Sequence, residues 1–139
     1  MIALDSNLLI DFIGHDQRAA DAADSALRHA LASGPVVACE VVVAELVAGL
    51  GNGSVVIDAL EELGIEFSPL ERRSAVRAGE MQRRYAERRR GAREPGESPR
   101  TVPDFLIGAH ALLQCQALIT RDAGFFRDSF TGLKVIVPK

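Results

Sequence analysis

Lysine is almost missing from this chain, cysteine is scarce, and no long apolar run occurs. Only Lys134 and Lys139 carry an ammonium side chain. No lysine therefore stands near a later strand end, where a protein that accepts a phosphoryl group on aspartate would need one. The two cysteines, Cys39 and Cys115, lie in apolar surroundings without CxxC spacing. That excludes a paired-cysteine zinc site and reads as two reduced core thiols. No stretch reaches the roughly 18 apolar residues of a membrane-spanning helix. The opening MIALDSNLLI has neither a positive start nor a small-residue cleavage site, so no signal peptide is expected and a cytoplasmic location is the default.

What is present fits one globular domain over residues 1–139. The 139 residues are 47% hydrophobic and 25% charged, which is enough to bury a sizeable core without staples. The charge is unevenly spread. Ten arginines and five glutamates fall between Glu71 and Arg100, so that segment is net +5 against −3 for the whole chain, leaving −8 elsewhere. A local basic segment on an acidic body points to an anionic partner. From charge alone, a solvated helix laced with i,i+4 Glu–Arg pairs is the simpler account.

Short apolar runs alternate with helical periodicity. Strands are expected at Ile2–Leu4, Val36–Cys39, Ile65–Phe67, Ala117–Thr120 and Val135–Val137. Helices are expected from a Ser6 cap, from Asp16, from about Glu40 to Leu50, from a Ser54 cap to Leu63, from about Glu71 to Arg90, and from Pro103 to about Gln114. Residues 91–103 read as a loop rich in Gly, Pro, Ser and charge. This alternation predicts a three-layer α/β/α sandwich with a mainly parallel sheet of about five strands.

In such folds chemistry sits beyond the carboxyl ends of the strands. Asp5 directly follows the first strand, and Asp122 follows the fourth after Arg121. If those strands are neighbours, their carboxylates converge. Glu45 stands on an apolar helix face, with Val41, Val42, Ala48 and Gly49 at its i±3 and i±4 positions. Asp104 lies in a first helical turn beside Pro103. Singly, each acid has an ordinary explanation as a cap, a turn or a solvated edge. Together they need a cation, and no lysine or histidine cluster is placed to supply one. Magnesium or manganese suits an all-oxygen set. Asp11, Asp58, Glu61 and Glu62 look solvated, and His110 faces away from Asp104 on its helix.

At these residues the chain resembles the PIN-domain family. MIALDSNLLID resembles the family's opening, CEVVVAELVAGL its second motif, TVPDFLIGAHAL its third and LITRDAGFF its fourth. The order and context agree over nearly the whole chain, and the size is most similar to VapC-type toxins of toxin–antitoxin pairs. The resemblance implies an Mg²⁺- or Mn²⁺-dependent endoribonuclease. It also implies a homodimer, or a dimer of toxin–antitoxin units, and a cognate antitoxin that covers the active site. It makes Asp5, Glu45, Asp104 and Asp122 the metal-binding quartet, and Ser6, Asn7 and Thr120 supporting or substrate-contacting residues. Ser6 departs from the family's frequent threonine but keeps the hydroxyl. Arg83, Arg84, Arg88, Arg89, Arg90, Arg93 and Arg100 become candidates to hold RNA, or to receive an acidic antitoxin segment. A catalytically dead binding module and an Asp5-based phosphotransfer protein are the alternatives; DNA as substrate stays open, because metal–phosphate chemistry does not read the sugar.

Overall fold

The computed structural model describes residues 1–90 and 99–139. The described residues form five strands, β1 (Ile2–Leu4), β2 (Val36–Ala38), β3 (Ile65–Phe67), β4 (Ala117–Ile119) and β5 (Val135–Ile136). Between them run α1 (Ser6–Ile13), α2 (Gln17–Ser33), α3 (Glu40–Leu50), α4 (Gly53–Leu63), α5 (Arg72–Arg89), α6 (Val102–Gln114) and α7 (Ala123–Ser129). The sheet order is β3-β2-β1-β4-β5, and every pairing is parallel.

That order sorts the helices into two layers. From β1 through β3 the chain steps steadily one way across the sheet, and right-handed crossovers put α1–α4 on one face. It then returns to β4 and steps the other way to β5, which puts α5–α7 on the opposite face. Within the layers α1 lies against α2 and α3, α3 against α4, and α5 against α6, and α3 also touches α6. The reversal falls between β1 and β4, which are neighbours in register Leu4↔Ile119. A crevice opens at such a switch point, beyond the strand ends.

The strands are short and apolar because both faces are covered: Ala3, Leu4, Val36, Val37, Leu118 and Ile119 are all at most 2% exposed. Phe105, Phe126 and Phe130 fill the α6–α7 side of the core. Gly108 is where α6 meets Phe130. A Cβ there would come within 2.2 Å of the Phe130 ring, so the close approach requires glycine. Gly64, at φ 76°, caps α4 in the left-handed region and turns the chain straight into β3.

Two helix caps lie one or two residues ahead of the expected serines. Asp5, not Ser6, caps α1, accepting from the Ser6 N–H at 2.8 Å. Asn52, not Ser54, caps α4 through the Val55 N–H at 3.1 Å. Helix α7 was not expected, because seven residues without a capping bond carry too little periodicity to register. Among the described residues, no helix is long and apolar enough to cross a membrane. Cys39 and Cys115 are free thiols, the first buried and the second half-buried.

Candidate active site

Asp5 ends the central strand and is 7% exposed. Its own N–H continues the ladder to the Ile119 carbonyl at 3.0 Å, so the side chain enters the crevice at the switch point. One carboxylate oxygen accepts from the Ser6 N–H; the other accepts from Thr120 Oγ1 at 2.8 Å and Asn7 Nδ2 at 3.3 Å. Thr120 in turn accepts from the Asp122 N–H at 3.0 Å and from Asn7 Nδ2 at 3.3 Å. One hydroxyl thus ties the ends of β1 and β4 to the residue that follows them.

Glu45 reaches the same place from α3. Ser6 Oγ donates to Glu45 Oε1 at 3.0 Å and lies 3.4 Å from Asp5 Oδ1. A hydroxyl has one proton, and the shorter contact takes it. On the other side stand Asp104, in the first turn of α6, and Asp122, ahead of α7. Burial, then the charges of Asp104 and Asp122, push the Asp5 carboxyl above its ordinary value. Burial, then the charges of Asp5 and Asp104, do the same to Glu45. Burial raises Asp104 too, against the opposing pull of Arg100. Asp5, Glu45 and Asp104 thus each feel the charge of at least one other acid of the quartet in a partly desolvated space.

A cation does reach this space, and nothing local in the sequence marks it. Arg100 Nη2 lies 2.5 Å from Asp122 Oδ2, and its Nη1 lies 4.0 Å from Asp104 Oδ2. The guanidinium carbon sits 4.6 Å from the centre of the Phe125 ring. Among the described residues, no three Asp, Glu, His or Cys side chains stand close enough together, as they are, to hold a metal ion.

The other arginines divide. Arg83 pairs with Glu87 at 3.3 Å on α5, as a solvated helix would have it. Arg84, Arg88 and Arg90 are exposed. Arg89 lies over the Tyr85 ring, 5.4 Å from its centre. Arg93 lies outside the described residues. Arg88, Arg89 and Arg100 line one cavity of about 430 Å³ with Tyr85, Phe125, Asp128 and Ser129. The aromatic floor of this cavity had no signal in the sequence beyond FF at 125–126.

Asp11 was read as solvated and is not. It pairs with Arg121 at 2.8 Å, with its side chain only 13% exposed. Asn7 Oδ1 accepts from the Arg121 N–H at 3.4 Å. Asn7 and Asp11 are i and i+4 on α1, and that spacing was the available clue. His110 does face away, buried against Ser68 Oγ at 3.0 Å.

A family model for the PIN domain matches residues 2–129. The chain belongs to the PIN domain family. Solved structures with this PIN fold match over the full length. VapBC-1 from nontypeable Haemophilus influenzae aligns with a TM-score of 0.68 at 22% identity, covering 99% of this chain and 98% of that one. FitAcB from Neisseria gonorrhoeae aligns at 0.64 and 25% identity, covering 99% and 98%. VapBC2 from Rickettsia felis, bound to a DNA fragment from its promoter, aligns at 0.65 and 18% identity, covering 100% of both. A search of curated proteins finds no matching sequence.

Proposed function

We propose that this PIN-domain protein is a metal-dependent endoribonuclease, the toxin of a toxin–antitoxin pair, acting as a single unit over residues 1–139. The observation that carries the reading is Asp5: a carboxylate buried at the end of the central strand, raised in pKa, and within the field of two further acids. Buried charge of one sign calls for a partner of the other sign.

The donor set fits a hard divalent ion. Every candidate ligand is an oxygen, from Asp5, Glu45, Asp104 and Asp122, and no nitrogen or sulfur ligand stands among them. Those four residues would hold Mg²⁺ or Mn²⁺, which supplies Lewis-acid stabilisation of the phosphodiester and a more acidic water when bound. Thr120, Asn7 and Ser6 hold the carboxylates in place through the hydrogen bonds above. Arg88 and Arg89 line the cavity that adjoins Asp122 through Arg100, where a phosphate backbone finds donors.

The partners follow from the same reading: RNA as substrate, and a cognate antitoxin, since the similar solved structures include toxin–antitoxin assemblies. We place the protein in the cytoplasm as a homodimer or a dimer of toxin–antitoxin units. The phosphotransfer reading loses support from Lys134. Its carbonyl bonds Leu118 N at the start of β4, and the residue lines a cavity with Met1, Pro35 and Ala117 at the opposite edge of the sheet.

The test is cleavage of a panel of structured RNAs by purified protein with Mg²⁺, with Mn²⁺ and with EDTA. Cutting that requires metal supports the reading. Metal-independent cutting, or an absence of metal binding by calorimetry, removes it.

A further inference from the structure

Arg100 faces two sites at once. On one side its guanidinium contacts the Asp122 and Asp104 carboxylates. On the other it forms part of the wall of the cavity shared with Arg88 and Arg89. Its main chain is fixed independently of the carboxylates: the Arg100 N–H donates to Tyr85 Oη at 3.2 Å, and α6 begins two residues later. The backbone is therefore anchored while the head group has two surroundings within its reach.

A guanidinium and a hard cation compete for the same carboxylate charge, and each weakens the hold of the other on Asp104 and Asp122. The divalent ion is the stronger claimant, with twice the charge in a smaller volume. Phe125 offers the displaced guanidinium a place to rest, because its ring already carries it at 4.6 Å.

We propose that Arg100 is an internal rival of the metal ion: it neutralises Asp104 and Asp122 when no metal is bound, and passes to the RNA phosphate in the Arg88–Arg89 cavity when metal takes those carboxylates. The proposal rests on the metal-site reading of the quartet. It makes metal binding and RNA binding mutually reinforcing, because each removes one of Arg100's competing partners.

The experiment is calorimetric titration of Mn²⁺ into the full chain, wild type and R100A. It is accompanied by melting temperatures with and without Mn²⁺ and by binding of an uncleavable 2′-O-methyl RNA oligonucleotide. R100A should bind Mn²⁺ about tenfold more tightly, the order of an ordinary coupling between two ligands of one site. Metal-free R100A should melt below wild type, and saturating Mn²⁺ should close the gap. Mn²⁺ should tighten oligonucleotide binding in wild type and do so about tenfold less in R100A. If R100A does not fold, R100Q keeps the shape without the charge and should give the same shifts. Unchanged Mn²⁺ affinity in a folded variant, with an equal loss of melting temperature at every metal concentration, means a purely structural arginine and overturns the proposal. So does an oligonucleotide affinity that Mn²⁺ tightens equally in both proteins. A wild type that binds no Mn²⁺ overturns the quartet reading as well, and that result is distinct from the others.

Discussion

Two buried polar clusters sit on either side of α6, and only one of them is short of partners. In the first, His110 is 1% exposed and meets Ser68 Oγ, while Ser74 Oγ donates to Gln114 Oε1 at 2.7 Å. Gln114 also accepts from the Glu71 N–H and donates to the Pro69 carbonyl, each at 3.0 Å. Burial lowers the His110 pKa, so the ring stays neutral and the cluster is a closed set of neutral pairs. In the second cluster, Asp5, Glu45 and Asp104 are all pushed upward, and Arg100 is the cation that touches it. Burial of polar atoms therefore does not mark a site in this molecule. Burial of charge beyond what the surrounding groups neutralise does.

The comparison can be broken most forcefully at Asp5. Asp5→Asn should lower RNA cleavage at least about a thousandfold, which is about 4 kcal/mol of barrier. It should leave the fold intact and the metal-free melting temperature equal or higher, because a repelling charge has gone. An active, well-folded Asp5→Asn protein ends the assignment of Asp5 to the metal site. The same kind of change in the neutral cluster should do the reverse. His110→Ala should cost about 2–3 kcal/mol in denaturant unfolding through the lost packing and hydrogen bond, with Mn²⁺ affinity unmoved. A large drop in metal affinity would mean that the two clusters are not independent.

Thr120→Val tests how far orientation matters within the charged cluster. It removes the donor to Asp5 and the acceptor for the Asp122 N–H, and metal affinity should fall about 10- to 100-fold by calorimetry. The smallest effect is the dependence of stability on pH. Asp5, Asp104 and Glu45 have folded pKa values above their ordinary 3.8, 3.8 and 4.5. Their contribution to stability is present at low pH and lost as pH rises through the raised values. His110 works the other way: its folded pKa lies below 6.5, so its contribution is lost as pH falls below that value. The metal-free wild type should therefore lose melting temperature relative to Asp5→Asn as pH rises from about 4 through the raised carboxylate range. Saturating Mn²⁺ should abolish that difference. A constant offset between the two proteins across pH would show that Asp5 titrates normally.

The parallel sheet was legible because most strands are short apolar runs between helical stretches, and Asp5 and Asp122 were visible just beyond the ends of two of them. Glu45 was legible by contrast with its apolar helix face. Arg100 was not, since nothing local distinguishes it from nine other arginines in its segment. Its place depends on how α5 and α6 pack and on Tyr85 receiving its N–H. The expectation that no lysine or histidine cluster faces the acids did not extend to arginine, and the cation that reaches them is Arg100. Asp11 was missed because its partner, Arg121, lies 110 positions further along the chain. The caps slipped because Asp5 and Asn52 compete with nearby serines of equal capping preference, and only the backbone geometry chooses between them.

The central place of β1 has a consequence for how the protein is made. Asp5 is synthesised well before its hydroxyl partner Thr120, which is 115 positions further on, and before its neighbouring strand β4. While the chain emerges from the ribosome, β1 waits with one edge unpaired until β4 has followed. The acidic pocket cannot close around an incomplete chain, so a nascent or prematurely ended product carries Asp5 and Glu45 without the half of the site that Asp104 and Asp122 bring.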